Sequence, residues 1–243
     1  MTIQSSNINS LRPLHFFDGE LGAFHSLLLE MTDLLMYQME QCMYALDYGD
    51  MDLALKVVSR DRKVDANRAR IEDEIQHALA QNVSLTSDLR IVMTILKIAG
   101  TLEKIGNEIV ELAHRVKSLF DRHSNRCNTE MMAEIIYLGG MIKIMLDKMT
   151  AVLETRNSNQ AYKLMKYSWN CDTRLQQALK YQLISTEQNA AIIEHTLDIM
   201  RILRALERCA GFCRNIAEYQ ILMLDCIDMR RHSSLTVKNV NLA

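Results

Sequence analysis

The sequence predicts an all-α protein of two tandem antiparallel three-helix bundles, related by an internal repeat and containing six long helices. Three observations support this fold class: residues that favour turns are scarce, apolar residues recur at helical spacing, and the two halves of the chain resemble each other. The 243 residues include one proline and eight glycines. Strands and tight turns need many such residues, so the chain has few breaks and the elements between them must be long helices.

Composition and charge exclude several classes of protein. Apolar residues make up 49% of the chain and charged residues 24%, which is the balance of a globular protein rather than a disordered one. The formal net charge of −2 argues against a protein that binds nucleic acid by bulk phosphate neutralisation. No window approaches the roughly 18 consecutive apolar residues of a membrane span, and residues 1–12 lack the apolar core of a signal peptide. We therefore expect a cytoplasmic protein without a membrane span.

Polar breaks predict where the helices begin and end. Four of them separate helices within the two halves: residues 47–50, 81–87, 155–159 and 185–188. The charged stretch 121–128 is the natural junction between the halves. The chain then divides into an N-terminal tail at 1–14, a first three-helix bundle at 15–122, a second three-helix bundle at 123–233 and a C-terminal tail at 234–243.

The last helix of each half carries the clearest repeat. Leu102–Asn107 read LEKIGN, and Leu206–Gly211, about 104 residues later, read LERCAG. The earlier helices of the two halves align at an offset of about 107 residues, because the second half has a shorter link before its last helix. The chain is therefore a tandem repeat of one helical unit.

Apolar and small residues recur at alternate steps of three and four in these two helices, as in knobs-into-holes packing. In the first half they are Val92, Ile95, Ala99, Leu102, Gly106, Ile109 and Ala113. In the second half they are Thr196, Ile199, Leu203, Leu206, Ala210, Cys213 and Ala217. A glycine inside a helix costs about 1 kcal/mol relative to alanine, so we expect a packing reason for Gly106.

A polar stripe runs beside this seam. Asp61 and Asp65 lie one turn apart on the second helix, and Glu103 and Asn107 have the same spacing on the third. Asp61 and Glu103 are at similar distances from the turn that joins these antiparallel helices, so the four side chains can face one another. Clustered carboxylates favour a hard cation with oxygen ligands, and a metal site is the functional interpretation.

The acidic stripe and a pair of cysteines on the last helix could each bind a metal, but both also have simpler structural explanations. The carboxylate stripe could be a solvated surface that Arg68 and Lys104 neutralise. Cys209 and Cys213, one helical turn apart, could bind a soft metal. Their counterparts in the first half are apolar, so we favour core packing for both cysteines.

Several segments carry a resemblance to a known family. They are FDGEL at Phe17–Leu21, VVSRDRKVD at Val57–Asp65, Asp88-Leu89-Arg90 followed by Leu96-Lys97-Ile98 and LEKIG, and LERCAG…NIAE within Leu206–Glu218. These motifs are similar to those of the PhoU family, regulators attached to high-affinity phosphate uptake. The resemblance covers nearly the whole chain, in the family's order and in both halves.

The resemblance implies a cytoplasmic, homodimeric regulator of two three-helix bundles rather than an enzyme. Such a protein is a negative regulator of the phosphate-starvation (Pho) response and modulates phosphate uptake. It would do so by coupling the ATPase subunit of a phosphate ABC transporter to a sensor histidine kinase. No cofactor is required for this role.

Some members of the family bind iron or other metals through paired acidic motifs, one in each half. By position, the resemblance implies these ligands in the first half: Asp61, Asp65, Glu103 and Asn107. In the second half it implies a weaker site with these residues: Asp172 and Glu207, with Ser168 and Gly211 at the remaining positions. The family has aspartate where Asn107 and Gly211 stand, and each lost carboxylate weakens cation binding. The implied divalent or iron cation would therefore occupy a weakened first site, and we expect the second site to be lost.

A metal-cluster oxidoreductase or storage protein of the di-iron type is the alternative function. Glu74…His77 and Glu111…His114 have the Glu-x-x-His spacing of di-iron carboxylate bundles. The two pairs differ in height along the bundle by roughly 25 Å at about 1.5 Å per residue. They cannot share one binuclear centre, so this alternative is disfavoured.

Basic residues on two helices raise a third possibility, a DNA-binding repressor. They are Arg60, Arg62, Lys63, Arg68 and Arg70 on one helix and Arg201, Arg204, Arg208 and Arg214 on another. Acidic residues are interleaved with the first group, and the helices are far longer than those of a helix-turn-helix module. We expect the arginines to contact acidic partner surfaces or to form ion pairs, and we expect no nucleic-acid partner.

Overall fold

The computed structural model describes residues 18–81, 86–120, 129–155, 157–187 and 193–225, and every regular element in these ranges is an α-helix. The helices are α1 (Asp18–Tyr48), α2 (Met51–Gln81), α3 (Thr86–Phe120), α4 (Thr129–Thr155), α5 (Ser158–Glu187) and α6 (Ile193–Asp225). The predicted all-α fold with six long helices is confirmed. The described helix ends also agree with the polar breaks that the sequence predicts.

The turn between α1 and α2 shows how local chemistry ends one helix and starts the next. Gly49 has a φ of 69°, the left-handed conformation that glycine adopts most readily. The amide of Asp50 donates to the carbonyl of Ala45 at 3.1 Å, which closes α1 with a Schellman-type hydrogen bond. The carboxylate of Asp50 then accepts a hydrogen bond from the amide of Leu53 at 2.9 Å and so caps α2.

Replacing Gly49 with alanine is expected to lower the free energy of unfolding by about 1–2 kcal/mol. Alanine is strained at this positive φ, and its Cβ would lie 2.8 Å from ring carbons of Phe120 at the end of α3. Urea denaturation of the purified variant measures the loss. Gly100→Ala is the matched control, because a Cβ at Gly100 meets no described atom within 4 Å and alanine favours the interior of α3. Equal losses in both variants would contradict the prediction.

The two halves share one hydrophobic core. Helix α3 packs along α6 and α1 packs along α4, so these four helices form the centre of the molecule, while α2 and α5 flank it on either side. The buried apolar residues of all six helices form a single contiguous cluster. The repeat therefore produces two three-helix units that are joined through their last and first helices.

The seam that the sequence predicts is buried in both halves. The apolar members of the seam in α3 and α6, from Val92 to Ala217, are at most 7% exposed. The first helices of the two halves also approach closely: the sulfur of Met43 in α1 occupies the place that a Cβ on Gly139 of α4 would take. A larger residue at position 139 would push these helices apart.

Most of the predicted boundaries between the tails and the two bundles lie outside the residues that the structure describes. The tails at 1–14 and 234–243 and the junction 121–128 all lie there, so the bundle limits 15–122 and 123–233 stay predictions. Within the described ranges, no helix is long and apolar enough to cross a membrane.

Candidate functional site

Helices α2 and α3 bring part of the predicted acidic site together. The half-buried carboxylate of Asp61 lies against the backbone of α3 at Gly106, where a Cβ would be only 2.6 Å from Asp61 Oδ1. Any side chain at position 106 would therefore displace this carboxylate. The packing reason for Gly106 is the approach of a charged group, not only that of an apolar helix.

The environment of Asp61 disfavours its charge. Its pKa is raised to about 6, chiefly by burial and in addition by the neighbouring carboxylates of Asp65 and Glu103, while a hydrogen bond from Gln38 of α1 acts in the opposite direction. Among the described residues, Asp61 Oδ1 is buried without a hydrogen-bond partner. Asp61 is thus an incompletely compensated acid between α1, α2 and α3.

Arg68 neutralises Glu103, the carboxylate that α3 contributes to this site. Its guanidinium donates to Glu103 across the α2–α3 interface, and it donates to Glu72 on its own helix at 2.8 and 3.0 Å. This contact agrees with the simpler explanation of the acidic stripe, in which the stripe is a solvated surface that Arg68 and Lys104 neutralise. Lys104, the second residue named there, is exposed.

The remaining predicted ligands of the first half point to solvent. Asp65 and Asn107 are both exposed. Within the described ranges, no group of three or more His, Cys, Asp or Glu side chains is arranged to hold a metal ion. The orphaned oxygen of Asp61 suits a cation, but Arg68 competes for Glu103, so the metal assignment of the first half stays a prediction.

The polar residues predicted for the second site are already hydrogen-bonded to other groups of the chain. Asp172 of α5 accepts a hydrogen bond from Arg214 of α6. Glu207 accepts from Gln176 at 2.5 Å and from Arg204 at 2.6 Å. The other two positions supply no free ligand: the buried hydroxyl of Ser168 donates to the carbonyl of Met165 at 2.7 Å, and Gly211 has no side chain. This set of residues does not fit a metal.

The other chemical candidates belong to the core or the surface. Cys209 and Cys213 are fully buried, as the core interpretation requires, and burial raises the pKa of Cys213 to about 12. The Glu-x-x-His pairs lie on polar surfaces, where His77 and His114 are exposed and Glu111 forms an ion pair with Arg115 at 2.8 Å. None of these groups assembles a reactive centre in the described part of the chain.

The arginines of α6 form ion pairs within the molecule. Each of the four contacts a carboxylate: Arg201 with Asp198, Arg204 with Glu207, Arg208 with Glu108, and Arg214 with Asp172. Two of these pairs have i,i+3 spacing and could have been read from the sequence. The other two depend on how α6 packs against α3 and α5. These contacts agree with the ion-pair interpretation of the basic row.

A surface that the sequence reasoning did not single out lies on α1. Three tyrosines, one or two turns apart, are exposed by 42–66%: Tyr37, Tyr44 and Tyr48, which we call the tyrosine stripe. The rings of Tyr44 and Tyr48 stack at 4.4 Å, and the guanidinium of Arg60 lies 4.4 Å from the centre of the Tyr37 ring. Spacing alone could have indicated this stripe. Exposed aromatic side chains are typical of protein-binding surfaces.

Comparison with known proteins matches both halves of the chain. A family model described as "PhoU domain" matches residues 28–116 and 135–220. A phosphate-specific transport system accessory protein PhoU homolog from Pseudomonas aeruginosa is 28% identical over 220 residues, which cover 90% of this chain and 89% of that protein. A homolog of the same name from Clostridium acetobutylicum is 26% identical over 210 residues, covering 86% and 94%.

Solved structures agree with these matches. The crystal structure of PhoU from Pseudomonas aeruginosa superposes with a TM-score of 0.81 at 26% identity, covering 87% of this chain and 100% of that one. The phosphate transport system regulatory protein PhoU from Streptococcus pneumoniae has the same fold, with a TM-score of 0.75 at 20% identity and coverage of 85% and 96%. Since the family model matches most of the chain, once in each three-helix unit, this protein belongs to the PhoU family of regulatory accessory proteins, which are not enzymes.

Proposed function

We propose that this protein is an accessory regulator of phosphate-specific transport that represses the phosphate-starvation response in the cytoplasm when phosphate is plentiful. The observation that carries the proposal is the match of a PhoU domain to each half of the chain, together with relatives that are named accessory proteins of that transport system. The fold suits such a role, because six long helices present extended faces to partners.

In this proposal the protein acts as an adaptor between two proteins. One is the ATPase subunit of a phosphate ABC transporter, and the other is a sensor histidine kinase. Binding both at once would stabilise a signalling-off complex, because the adaptor favours the kinase state to which it binds more tightly. The tyrosine stripe supports the proposal, since it offers exposed aromatic surface outside the shared core.

Homodimer formation and a bound cation are further parts of the proposal. A second copy of the chain would cover part of the exposed apolar surface. A divalent or iron cation at Asp61, Asp65, Glu103 and Asn107 would have a structural role, because it would neutralise the carboxylate that lies between α2 and α3. Partner binding itself requires no cofactor in this proposal.

Deletion of the gene is expected to raise expression of a phosphate-scavenging reporter severalfold in phosphate-rich medium, because the kinase would no longer be held in its off state. A reporter fusion in the native host measures the effect, and a copy of the gene in trans should restore repression. Reporter activity that stays low in the deletion strain would contradict the regulatory role.

Co-purification tests the adaptor mechanism separately from the regulatory role. The tagged full-length chain should retain the transporter ATPase and the kinase from the native host in phosphate-rich medium. A deletion that derepresses the reporter, combined with failure to retain either protein, would overturn the coupling and leave the repressor role in place.

A further inference from the structure

The polar site of the second half balances its own charge. Its two carboxylates are Asp172 on α5 and Glu207 on α6, and a guanidinium faces each of them. Arg214 donates to Asp172 across the α5–α6 interface, and the two side chains of this pair are only 27% and 30% exposed. Arg204 pairs with Glu207 at 2.6 Å on the same helix. A cation from solution would find no unpaired carboxylate here.

Arg214 lies beside Gly211, the position of this site that has no side chain. Gly211 lies one turn beyond Glu207, where the corresponding residue of the first half is Asn107. The nearest described atom to a Cβ built on Gly211 would be Nη2 of Arg214, at 3.9 Å. At this distance a Cβ on residue 211 would be in ordinary van der Waals contact with the guanidinium.

The corresponding site in the first half is not balanced in this way. Arg68 divides its donors between Glu103 and Glu72. It leaves Asp61 Oδ1 without a hydrogen-bond partner among the described residues, and exposed Asp65 adds a further negative charge. The repeat places the two arginines at different positions, so each half has acquired its own arrangement of charge.

We infer that Arg214 is a tethered counter-ion that closes the second-half site to divalent and trivalent cations. A guanidinium stays charged at every physiological pH and binds carboxylates in a fixed geometry. An incoming cation would have to displace it from a half-buried carboxylate and leave its charge without that partner. The inference rests on the geometry of α5 and α6 and not on the regulatory role, which the reporter experiment tests by itself.

Terbium luminescence can test this closure, because the only tryptophan of the chain reports on the second half. Trp169 lies one turn before Asp172 on α5, so a Tb³⁺ ion bound by Asp172 and Glu207 would be sensitised by its indole. TbCl₃ is titrated into the full-length protein while tryptophan is excited selectively. We expect no saturable sensitised emission from the wild-type protein.

Arg214→Ala should open the site. We expect saturable emission, with an apparent Kd at least roughly tenfold below the highest Tb³⁺ concentration at which the wild type shows none, the equivalent of one lost charge-assisted contact. Arg201→Ala is the matched control, since it removes the same charge from α6 at a residue that pairs with Asp198 instead. Arg214→Lys keeps a positive charge at this position, so this variant should show no saturable Tb³⁺ emission.

Each outcome of this experiment decides the inference. Saturable emission from the wild-type protein, or equal emission from the Arg201→Ala and Arg214→Ala variants, would overturn it. Should Arg214→Ala fail to fold by circular dichroism, Arg214→Gln removes the charge while keeping much of the side chain. A folded Arg214→Gln variant that shows no more saturable Tb³⁺ emission than the wild type would equally overturn the inference.

Discussion

Truncation of Leu206 to alanine is expected to lower the free energy of unfolding by about 2–5 kcal/mol. Leu206 is fully buried on α6, the helix that joins the second half to the first through α3. Loss of its branched side chain removes apolar burial and leaves a cavity that close-packed helices fill only in part. Because the core is continuous across both halves, we expect the whole molecule to lose stability rather than one bundle.

Urea denaturation followed by circular dichroism measures this effect. Leu197→Ala is the matched control, since Leu197 lies on the same helix but is 47% exposed, and its loss should be within about 0.5 kcal/mol. A single transition that moves to lower urea in Leu206→Ala is the expected result. Two separate transitions, with only one of them shifted, would contradict the shared core.

Replacing Asp61 with asparagine is expected to raise the free energy of unfolding at pH 7 by about 1–2 kcal/mol. The folded protein raises the pKa of Asp61 from 3.8 to about 6, chiefly through burial. Ionisation is therefore less favourable in the folded chain than in the unfolded one, and solvent reduces the resulting penalty because the group is only half-buried. Asparagine has a similar shape and carries no charge.

The pH dependence of stability has a definite sign for this residue. The folded state binds a proton at Asp61 that the unfolded state has already released between pH 3.8 and about 6. The contribution of Asp61 to stability is therefore fully present below pH 3.8 and is lost as the pH rises to about 6. In Asp61→Asn this decline should disappear.

Unfolding measured by urea at several pH values between about 4 and 7 checks this prediction. Asp73→Asn is the control, because it makes the same chemical change at an exposed position of the same helix. The same pH slope in the wild type and in Asp61→Asn would show that the buried oxygen is compensated in solution. A stabilised Asp61→Asn variant would also show that the first-half site costs stability in the absence of a cation.

Much of the fold follows from local sequence signals. The polar stretch 47–50 predicts a break between helices, and in the structure Gly49 and Asp50 end α1 and begin α2. The spacing of small and apolar residues in α3 and α6 predicted the buried seam, since burial of one helical stripe repeats every three to four residues. The packing of both halves into one continuous core was not predicted, because periodicity gives the buried face of a helix but not its neighbour.

The candidate site was predictable only in part. Spacing and the antiparallel turn correctly placed Asp61 and Glu103 on facing helices. Spacing could not tell that Asp65 and Asn107 point to solvent, because small rotations of a helix decide the exposure of residues at the edge of a polar stripe. It also could not show that Arg214, far from Asp172 in sequence, would reach that carboxylate.

Local propensity, periodicity and motif were enough to predict six helices, their repeat, the buried stripe of each and membership of a family. The packing of the helices sets which carboxylates are neutralised, and it leaves Asp61 Oδ1 buried without a hydrogen bond among the described residues. The physical reason is that an ion pair between helices depends on their separation and register to within an ångström or two, and no one-dimensional pattern carries that information. The difference between the unpaired oxygen of Asp61 and the carboxylate of Asp172, which pairs with Arg214, arises at this level.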